Sequence, residues 1–213
     1  MNRDNGDDID RRRALDIVPV SRETEARLGV YVDLLRKWQR VKNLVAPSTL
    51  GEVWMRHVAD SAQLIGLAPA ARTWVDLGSG AGFPGLVIAI ELAGRPHSTV
   101  HLIESDQGKC AFLREVIRAT QAPAIVHAGR IEAVVPALSA VDAVTARALA
   151  PLPRLLKYAE ILLMRGAVGV FPKGRTVDAE LTEPSAKRKF RLDLIPSRTD
   201  PHGRIVMVRA APH

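Results

Sequence analysis

The sequence predicts an α/β fold built on a mostly parallel sheet, and three observations support this prediction. From Thr73 onward, short and almost wholly apolar runs alternate with segments of helical periodicity, as in parallel strands that helices cover on both faces. A glycine-rich stretch separates the first run from the first helical segment. The last two apolar runs are joined by a turn rich in Pro and Gly, which predicts a C-terminal antiparallel hairpin. We therefore expect a seven-stranded, Rossmann-like sheet.

Each element of this domain, assigned to residues 71–213, corresponds to one segment of the sequence. The predicted strands are TWVDLG, TVHLIE, AIVHAG, VDAVTAR and AVGVFPKG, followed by the two apolar runs of FRLDLIPSRTDPHGRIVMVRA. The predicted helices are GLVIAIELA, KCAFLREVIRAT and PLPRLLKYAEILLMRG, the last with a proline at its start, where helices tolerate it.

The region before the sheet, residues 21–70, predicts an N-terminal helical cap. Ser21 is a suitable N-cap residue, and apolar residues follow it at near-helical spacing: Leu28, Val32, Leu35 and Val41. A second helix is predicted from about residue 50 to residue 67, with three residues turned inward: Val53, Val58 and Leu64. Three polar residues fall within one of its turns: Arg56, His57 and Asp60. Residues 1–20 alternate Asp and Arg blocks with little apolar periodicity, which predicts a flexible leader.

Composition narrows the classes of protein to which the chain can belong. A hydrophobic fraction of 47% permits a well-packed core. Cys110 is the only cysteine, so an intrachain disulfide and a cysteine-based zinc site are excluded, and we expect it to pack within a helix. The N-terminus is polar where a signal peptide needs an apolar segment, and no apolar run reaches about 18 residues. These features predict a cytoplasmic protein that needs neither a membrane nor a metal.

The charge of the chain indicates a polyanionic partner. The formal net charge is +7 and the sequence pI is about 10.1. Nucleic acid is the first candidate and an anionic membrane surface the second, whereas the alternative is that the charge merely aids solubility.

The stretch DLGSGAGFPG, residues 76–85, allows two cofactor interpretations. Gly80, Gly82 and Gly85 fit the dinucleotide pattern G-x-G-x-x-G, but Asp76 with Gly78 and the next two glycines reads as an acid followed by a Gly-x-Gly-x-Gly run. A carboxylate beside a pyrophosphate is unfavourable, since two unit charges about 6 Å apart at an effective dielectric of about 20 interact by roughly 3 kcal/mol.

S-adenosylmethionine reverses the sign of this interaction because its methionine part carries an ammonium and a sulfonium. Pro84 also lacks the backbone N–H that a phosphate would need. Glu104, at the end of the second strand, is suited to the ribose hydroxyls of either cofactor. The carboxylates of Asp76 and Glu104 together with the glycine run favour S-adenosylmethionine.

Several motifs resemble the RsmG (GidB) family, the bacterial methyltransferases of a guanine N7 in small-subunit ribosomal RNA. The matching segments are RHVADS, VDLGSGAGFPGLVIAI, HLIESDQGKCAFL, TARALAPL and FPKG, and the resemblance covers about residues 25–210. One position differs, because the family commonly has Asn where this chain has Gln39.

The resemblance implies a seven-stranded S-adenosylmethionine-dependent methyltransferase fold with a helical extension, acting as a monomer. The substrate it implies is a guanine in the 530 loop of 16S rRNA in the small ribosomal subunit. It also implies a set of cofactor-binding residues. Beside Asp76, Gly80 and Gly82 from the glycine loop, these are Gly78, Phe83, Glu104, Ile131, Glu132 and Arg147.

The chemistry of N7 methylation requires alignment rather than a base. Guanine N7 already has an in-plane lone pair, which agrees with the absence of a recognisable nucleophile–base arrangement in the sequence. Arg147 and Lys173 lie at predicted carboxyl ends of strands and are candidates to hold guanine O6 or a phosphate, although Arg147 could instead pair with a pocket acid. His57 could pack against the sheet, bond to Asp60 or contact RNA.

Two segments combine basic and aromatic residues and are candidate RNA contacts, with an ordinary solvated face as the alternative. They are RKWQRVK (residues 36–42) and KRKFR (residues 187–191). Three functions stay open: an rRNA methyltransferase, a methyltransferase for a small molecule or protein, and an RNA-binding module without catalysis. The basic charge favours the first over the second, and the intact loop and acids argue against the third.

Overall fold

The computed structural model describes residues 3–174, 177 and 189–211. Within them the chain forms a seven-stranded sheet in the order β3-β2-β1-β4-β5-β7-β6. The strands are β1 (Thr73–Leu77), β2 (Thr99–Glu104), β3 (Ala124–Ala128), β4 (Ala143–Thr145), β5 (Val168–Lys173), β6 (Phe190–Pro196) and β7 (Arg204–Ala210). Strands β1 to β5 pair in parallel, and β7 runs antiparallel to both β5 and β6. The predicted sheet and its terminal hairpin are confirmed.

Helices cover both faces of the sheet. They are α1 (Arg3–Ile17), α2 (Arg22–Gln39), α3 (Asp60–Ala62), α4 (Gly85–Leu92), α5 (Gln107–Thr120), α6 (Ile131–Val134) and α7 (Leu152–Met164). One hydrophobic cluster includes Leu28, Trp54, Ile90 and Phe112 and therefore spans the cap, α4 and α5. A second cluster on the opposite face includes Leu155 of α7. No helix of the described residues is both long and apolar enough to cross a membrane.

The strand order creates a switch point between β1 and β4. The chain proceeds from β1 to β2 and β3 on one side, then returns to continue with β4 and β5 on the other. At such a point the loops after the two central strands diverge and leave a crevice at the carboxyl edge of the sheet. The glycine loop follows β1 and Arg147 follows β4, so both lie at this crevice.

Helix α2 begins as predicted but ends earlier. The Ser21 hydroxyl accepts from the Thr24 N–H at 3.1 Å, as an N-cap should. The helix ends at Gln39, so Val41, which the spacing placed in the apolar stripe, is 82% exposed. The Gln39 side chain holds the following turn, because its Oε1 accepts from the amides of Leu44 and Val45 at 2.9 and 3.0 Å.

Residues 3–17, for which the sequence predicts a flexible leader, form the helix α1. The acidic and basic side chains that suggested flexibility are the ones that attach this helix to the cap. Asp10 Oδ2 accepts from the Trp54 amide at 2.8 Å, and the Arg11 guanidinium pairs with Glu25 at 2.7 Å and lies over the Trp54 ring. The packing of α1 depends on partners far away in sequence, which its own composition does not show.

The single helix predicted for residues 50–67 is replaced by a series of short turns. A 3-10 turn (Pro47–Glu52), a π-helical turn (Trp54–Ala59), α3 and a second 3-10 turn (Ile65–Leu67) follow one another. The inward positions are nevertheless confirmed, since Val53, Val58 and Leu64 are all buried. Single π-turns occur often at functional sites, and this one carries His57.

We expect Asp10→Ala to lower the free energy of unfolding by about 1–2 kcal/mol, because it leaves the buried Trp54 amide without its acceptor. Urea denaturation measures the change. The control is Asp8→Ala, which removes an exposed carboxylate from the same helix. Equal stability of the two variants would show that the bond to Trp54 does not anchor α1.

Candidate active site

A cavity of about 960 Å³ opens at the carboxyl edge of the sheet, at the switch point between β1 and β4. The glycine loop, the end of β2 and the start of α6 form one side of it. The cap, the loop after β4 and the β6–β7 turn form the other. Its size lies in the range of small-molecule sites, about 300–1,000 Å³.

The glycine loop passes close to both the sheet and the cavity. Gly80 has φ +55°, and a Cβ built there meets no atom nearer than 3.8 Å outside its chain neighbours, so the missing side chain leaves space at the cavity wall. At Gly85 a Cβ would lie 2.4 Å from Leu102 Cδ2 and 2.6 Å from Asp76 Oδ2. The loop therefore needs glycine at one position for access and at the other for packing. Gly78 lines the cavity as well, but Gly82 does not.

Asp76 lies behind the loop and not in the cavity wall. It is fully buried, and its Oδ2 accepts from the Gly85 amide at 3.2 Å, while Oδ1 has no hydrogen-bond partner among the described residues. Burial raises the pKa of Asp76 to about 7. The Asp76 carboxyl group therefore lies beneath the glycine loop. Its charge acts on the cavity across the backbone of that loop.

Glu104 ends β2 and connects two loops. Its Oε2 accepts from the Gly80 amide at 2.9 Å, and its Oε1 accepts from the Asp106 amide at 2.8 Å. Because both oxygens are held by backbone donors, the orientation of the carboxylate at the cavity wall is fixed. Cys110 packs beneath it, fully buried, with its thiol donating to the Glu104 carbonyl at 3.3 Å.

Phe83 joins the loop to the cap through its ring. The ring stacks on His57 with centroids 4.9 Å apart and lies 5.0 Å from the ring of Tyr31. The Tyr31 hydroxyl donates to the carbonyl of Ala81 at 2.6 Å in a buried bond. Helix α2 thus holds the glycine loop by one hydrogen bond and one aromatic contact.

Arg147 projects from the loop after β4 into the centre of these contacts. Its Nη2 donates to His57 Nδ1 at 2.7 Å, its Nη1 donates to the Arg56 carbonyl at 3.1 Å, and its Cζ lies 5.1 Å from the centre of the Phe83 ring. The nearest carboxylate is that of Asp60, at 3.6 Å from Nη1. The side chain is 19% exposed and lines the cavity.

The bonds of Arg147 determine the protonation state of His57. A guanidinium only donates, so Nδ1 of His57 must accept, and the proton of the neutral ring lies on Nε2. That nitrogen is 2.8 Å from Thr49 Oγ1, which in turn donates to the Ala46 carbonyl at 2.8 Å. Burial first, then Arg147 and Arg56, lower the pKa of His57 to about 3. The imidazole is a neutral link in a chain that runs from Arg147 to Ala46.

Asp60 links the cap to the β6–β7 turn. Its Oδ1 accepts from the Thr199 hydroxyl at 2.9 Å and from the side-chain Nε2 of Gln63 at 3.0 Å. Gln63 Oε1 also accepts from the Arg198 amide at 2.9 Å. The acid that neutralises Arg147 is therefore held in place by a segment more than 130 residues away.

The other predicted site residues lie at the rim of the cavity. Ile131 and Glu132, at the start of α6, line its wall beside Arg130. Lys173, at the end of β5, lines the opposite wall and donates to the Ala150 carbonyl at 3.2 Å.

The comparisons with known proteins agree on one family. Residues 24–197 match the profile of GidB, rRNA small subunit methyltransferase G. A "Ribosomal RNA small subunit methyltransferase G" of Methylobacterium radiotolerans is 56% identical over 204 residues, which cover 95% of this chain and 96% of the relative. That of Methylorubrum populi is 57% identical over 198 residues, with coverages of 93% and 94%. The chain belongs to the rRNA small subunit methyltransferase G family.

Solved structures show how widely this fold is shared. The O-methyltransferase TomG of Streptomyces achromogenes, in complex with SAM, has a TM-score of 0.62 at 14% identity and covers 99% of this chain and 100% of its own. A putative O-methyltransferase of Klebsiella pneumoniae has a TM-score of 0.61 at 13% identity, with coverages of 98% and 99%. At these identities the likeness shows the fold alone.

The two basic and aromatic segments do not provide free stacking surfaces in this family member. In residues 36–42, Trp38 packs on Phe112 and donates to Glu115, while Arg36 pairs with Asp7 and Lys42 with Asp106. In the other segment Phe190 is buried, and residues 187–188 lie outside the described residues. Phe190 is therefore not available for stacking and Trp38 has partners within the protein, while contact of the basic residues of these segments with RNA stays a prediction.

Two site residues were not predicted from the sequence. Tyr31 is 50 residues from its partner Ala81, and Thr49 lies in a short polar segment without a motif. Neither has a local signal, because each acts through a contact that only the folded chain creates.

We expect His57→Gln to remove part of the acid sensitivity of the wild type. The folded-state pKa of His57 is about 3, whereas an unfolded histidine titrates near 6.5, so the unfolded chain binds more protons between these values. The stabilisation from His57 is complete above about pH 6.5 and is lost as the pH falls towards 3.

Denaturation of the wild type and of His57→Gln at several pH values between these limits measures this contribution. Glutamine keeps a donor and an acceptor but does not titrate, so the variant should lose less stability on acidification. His202→Gln, which alters an exposed imidazole on the β6–β7 turn, should follow the wild-type slope. Parallel slopes for wild type and His57→Gln would contradict the assignment of a buried, neutral His57.

Proposed function

We propose that this protein transfers the methyl group of S-adenosylmethionine to N7 of a guanine in the 530 loop of 16S rRNA. Membership in the family supports the reaction and the rRNA substrate. The observation that carries the proposal is the arrangement of the cavity, in which two carboxylates hold the glycine loop on one side and Arg147 is fixed on the other.

The wall formed by the loop fits S-adenosylmethionine. Gly80 lacks the Cβ that would enter the cavity, and the Glu104 carboxylate beside it is an acceptor suited to ribose hydroxyls. The cofactor would be held by Gly78, Gly80, Gly82 through the shape of the loop, Phe83, Glu104, Ile131, Glu132 and Arg147. When bound, it supplies an electrophilic methyl group on a sulfonium.

The remaining side chains orient the base. Guanine N7 has an in-plane lone pair, so no residue has to remove a proton. His57 is unsuited to such a role because both of its ring nitrogens are engaged. Arg147 keeps its donors in fixed directions and can hold guanine O6 or a phosphate, and Lys173 lines the opposite wall for the same purpose.

The rim of the cavity is rich in cationic groups, which suits a phosphate backbone. Basic residues that line it are Arg56, Lys109, Arg130, Arg147, Arg154, Lys173 and Arg204. The acids that line it are Asp60, Glu104, Glu132 and Asp200, and the first two are engaged by Arg147 and by backbone amides. This concentration of positive charge favours RNA over a small neutral substrate. We place the reaction in the cytoplasm and expect a monomer to perform it.

The test is to incubate the protein with radiolabelled S-adenosylmethionine and small ribosomal subunits from cells that lack this methylation, and in parallel with their deproteinised 16S rRNA. Label should appear in 16S rRNA as N7-methylguanine within the 530 loop. Label at another position would refute the proposed site of methylation. Cofactor binding without transfer to either substrate would instead favour a methyltransferase for a small molecule or protein, whereas no cofactor binding would favour an RNA-binding module without catalysis.

We expect the affinity for S-adenosylmethionine to increase as the pH rises through about 7 in the wild type. The reason is that a cationic ligand favours the ionised form of Asp76, so its binding releases a proton. In Asp76→Asn the affinity should be lower at neutral pH and should lose this part of the pH dependence.

Calorimetry of both proteins over the same pH range provides the measurement, and the difference between them cancels the titration of the cofactor itself. A circular dichroism spectrum of the variant checks the fold, because the Asn Oδ1 can still accept from Gly85. The same pH dependence in both proteins would mean that the charge of Asp76 does not act on the cofactor.

A further inference from the structure

The aromatic residues of the chain leave one surface at the cavity for stacking on a nucleobase. All of the Phe, Trp and Tyr residues lie in the described part of the chain, and all except Trp38 and Tyr158 are buried. The ring of Trp38 packs against Phe112. Tyr158 of α7 is half-buried and lines the cavity.

The guanidinium of Arg154 lies against the ring of Tyr158. The Cζ atom of Arg154, one helical turn earlier, lies 5.3 Å from the ring centre, and its Nε donates to the Tyr158 hydroxyl at 2.8 Å. These two contacts hold the guanidinium beside the ring, while Arg154 as a whole is exposed. Among the described residues no carboxylate forms an ion pair with it. A guanidinium plane that is held and exposed is a surface on which RNA bases stack.

The pair borders a second, more apolar groove of about 670 Å³ between α6, the 3-10 turn after it, and α7. Its walls include Val135, Pro136, Pro153 and Ile161, and exposed Lys157 lies at its edge. Arg154, Tyr158 and Glu132 line both this groove and the main cavity, so the groove lies next to the cavity.

We propose that the Arg154–Tyr158 pair and this groove bind a nucleotide of the RNA next to the target guanine, with the base stacked on the pair and phosphates near Arg154 and Lys157. The inference rests on the proposed function. A guanine that enters the cavity no longer stacks on the neighbouring base of the RNA. That neighbouring base therefore needs another surface on which to stack. The cationic groups favour a nucleotide over a peptide in the groove, and Glu132, the acid of the groove, can accept from a base amino group.

Steady-state methylation of deproteinised 16S rRNA and of small subunits by Tyr158→Leu and Arg154→Lys tests the proposal. Tyr158→Leu removes the stacking ring, and Arg154→Lys keeps the charge but removes the plane. Each should raise KM for RNA roughly 10-fold, in line with the usual strength of base stacking, with little change in kcat. The affinity for S-adenosylmethionine, measured by calorimetry, should stay at the wild-type value.

Two controls separate stacking from charge and from folding. Arg118→Lys changes an exposed arginine of α5 that lines neither cavity and should keep the wild-type KM. Tyr158→Phe keeps the ring but loses the bond to Arg154, so its KM should lie between those of wild type and Tyr158→Leu. Thermal unfolding of each variant shows whether a loss of activity is a loss of fold.

The outcomes distinguish this inference from the proposed function. If the wild type methylates 16S rRNA and both test variants match Arg118→Lys, the inference is wrong and the function stands. If the variants instead weaken cofactor binding, the groove serves the cofactor. If their KM rises on intact subunits but not on protein-free rRNA, the surface contacts a ribosomal protein. A wild type that methylates no 16S rRNA overturns both proposals.

Discussion

The half-buried guanidinium of Arg147 is the interaction on which the site depends, because it contacts parts of the chain that are far apart in sequence. It starts from the loop after β4 and reaches the π-turn of the cap, the carboxylate of Asp60 and the ring of Phe83. Burial lowers the pKa of this arginine, and Asp60 acts in the opposite direction. A guanidinium that is largely shielded from water needs acceptors for most of its N–H groups. The cap supplies these acceptors. The cap is thus part of the candidate site and not only a cover.

This requirement explains the irregular backbone of the cap. The Asp60 amide bonds to the carbonyls of His57 and Val58, while the carbonyl of Arg56 accepts from Arg147. The π-turn also directs the His57 ring between Arg147 and Thr49, with Phe83 stacked beside it. A regular helix over this segment would change the direction of these groups. The departure from helical geometry is consistent with the proposed role of Arg147 in orienting the substrate.

The sheet could be predicted from the sequence because its strands are almost wholly apolar and are separated by clear helical segments. The candidate cofactor loop could be predicted as well, since Asp76, the glycines and Glu104 lie at strand ends that a parallel sheet brings together. The packing of α1 could not be predicted, because the sequence alone suggests that Asp10 and Arg11 are exposed charges. Only the folded chain brings Trp54 and Glu25 beside them. The packing of Trp38 and Phe190 within the protein could not be predicted for the same reason. A sequence shows which side chains are present, but it does not show which of them already contact a residue that is distant in sequence.

Because the proposed transfer to guanine N7 needs no general base, the charges of the site act on the cofactor and on the base. Methyl transfer to N7 moves one positive charge from the sulfonium to the guanine and creates no new charge, so the site has to stabilise a cation at both ends of the transfer. The basic residues that line the cavity attract phosphates but oppose a cationic base, so the proposed reaction takes its compensating negative charge from Asp76 beneath the loop and from Glu104 at the cavity wall. Glu104 is held there by two amides, and Asp76 lies fully buried with a pKa near neutrality, so its ionisation follows the charge above it. In the proposed reaction, the basic residues that line the cavity would bind the RNA backbone, whereas Asp76 and Glu104 would stabilise the reacting charge.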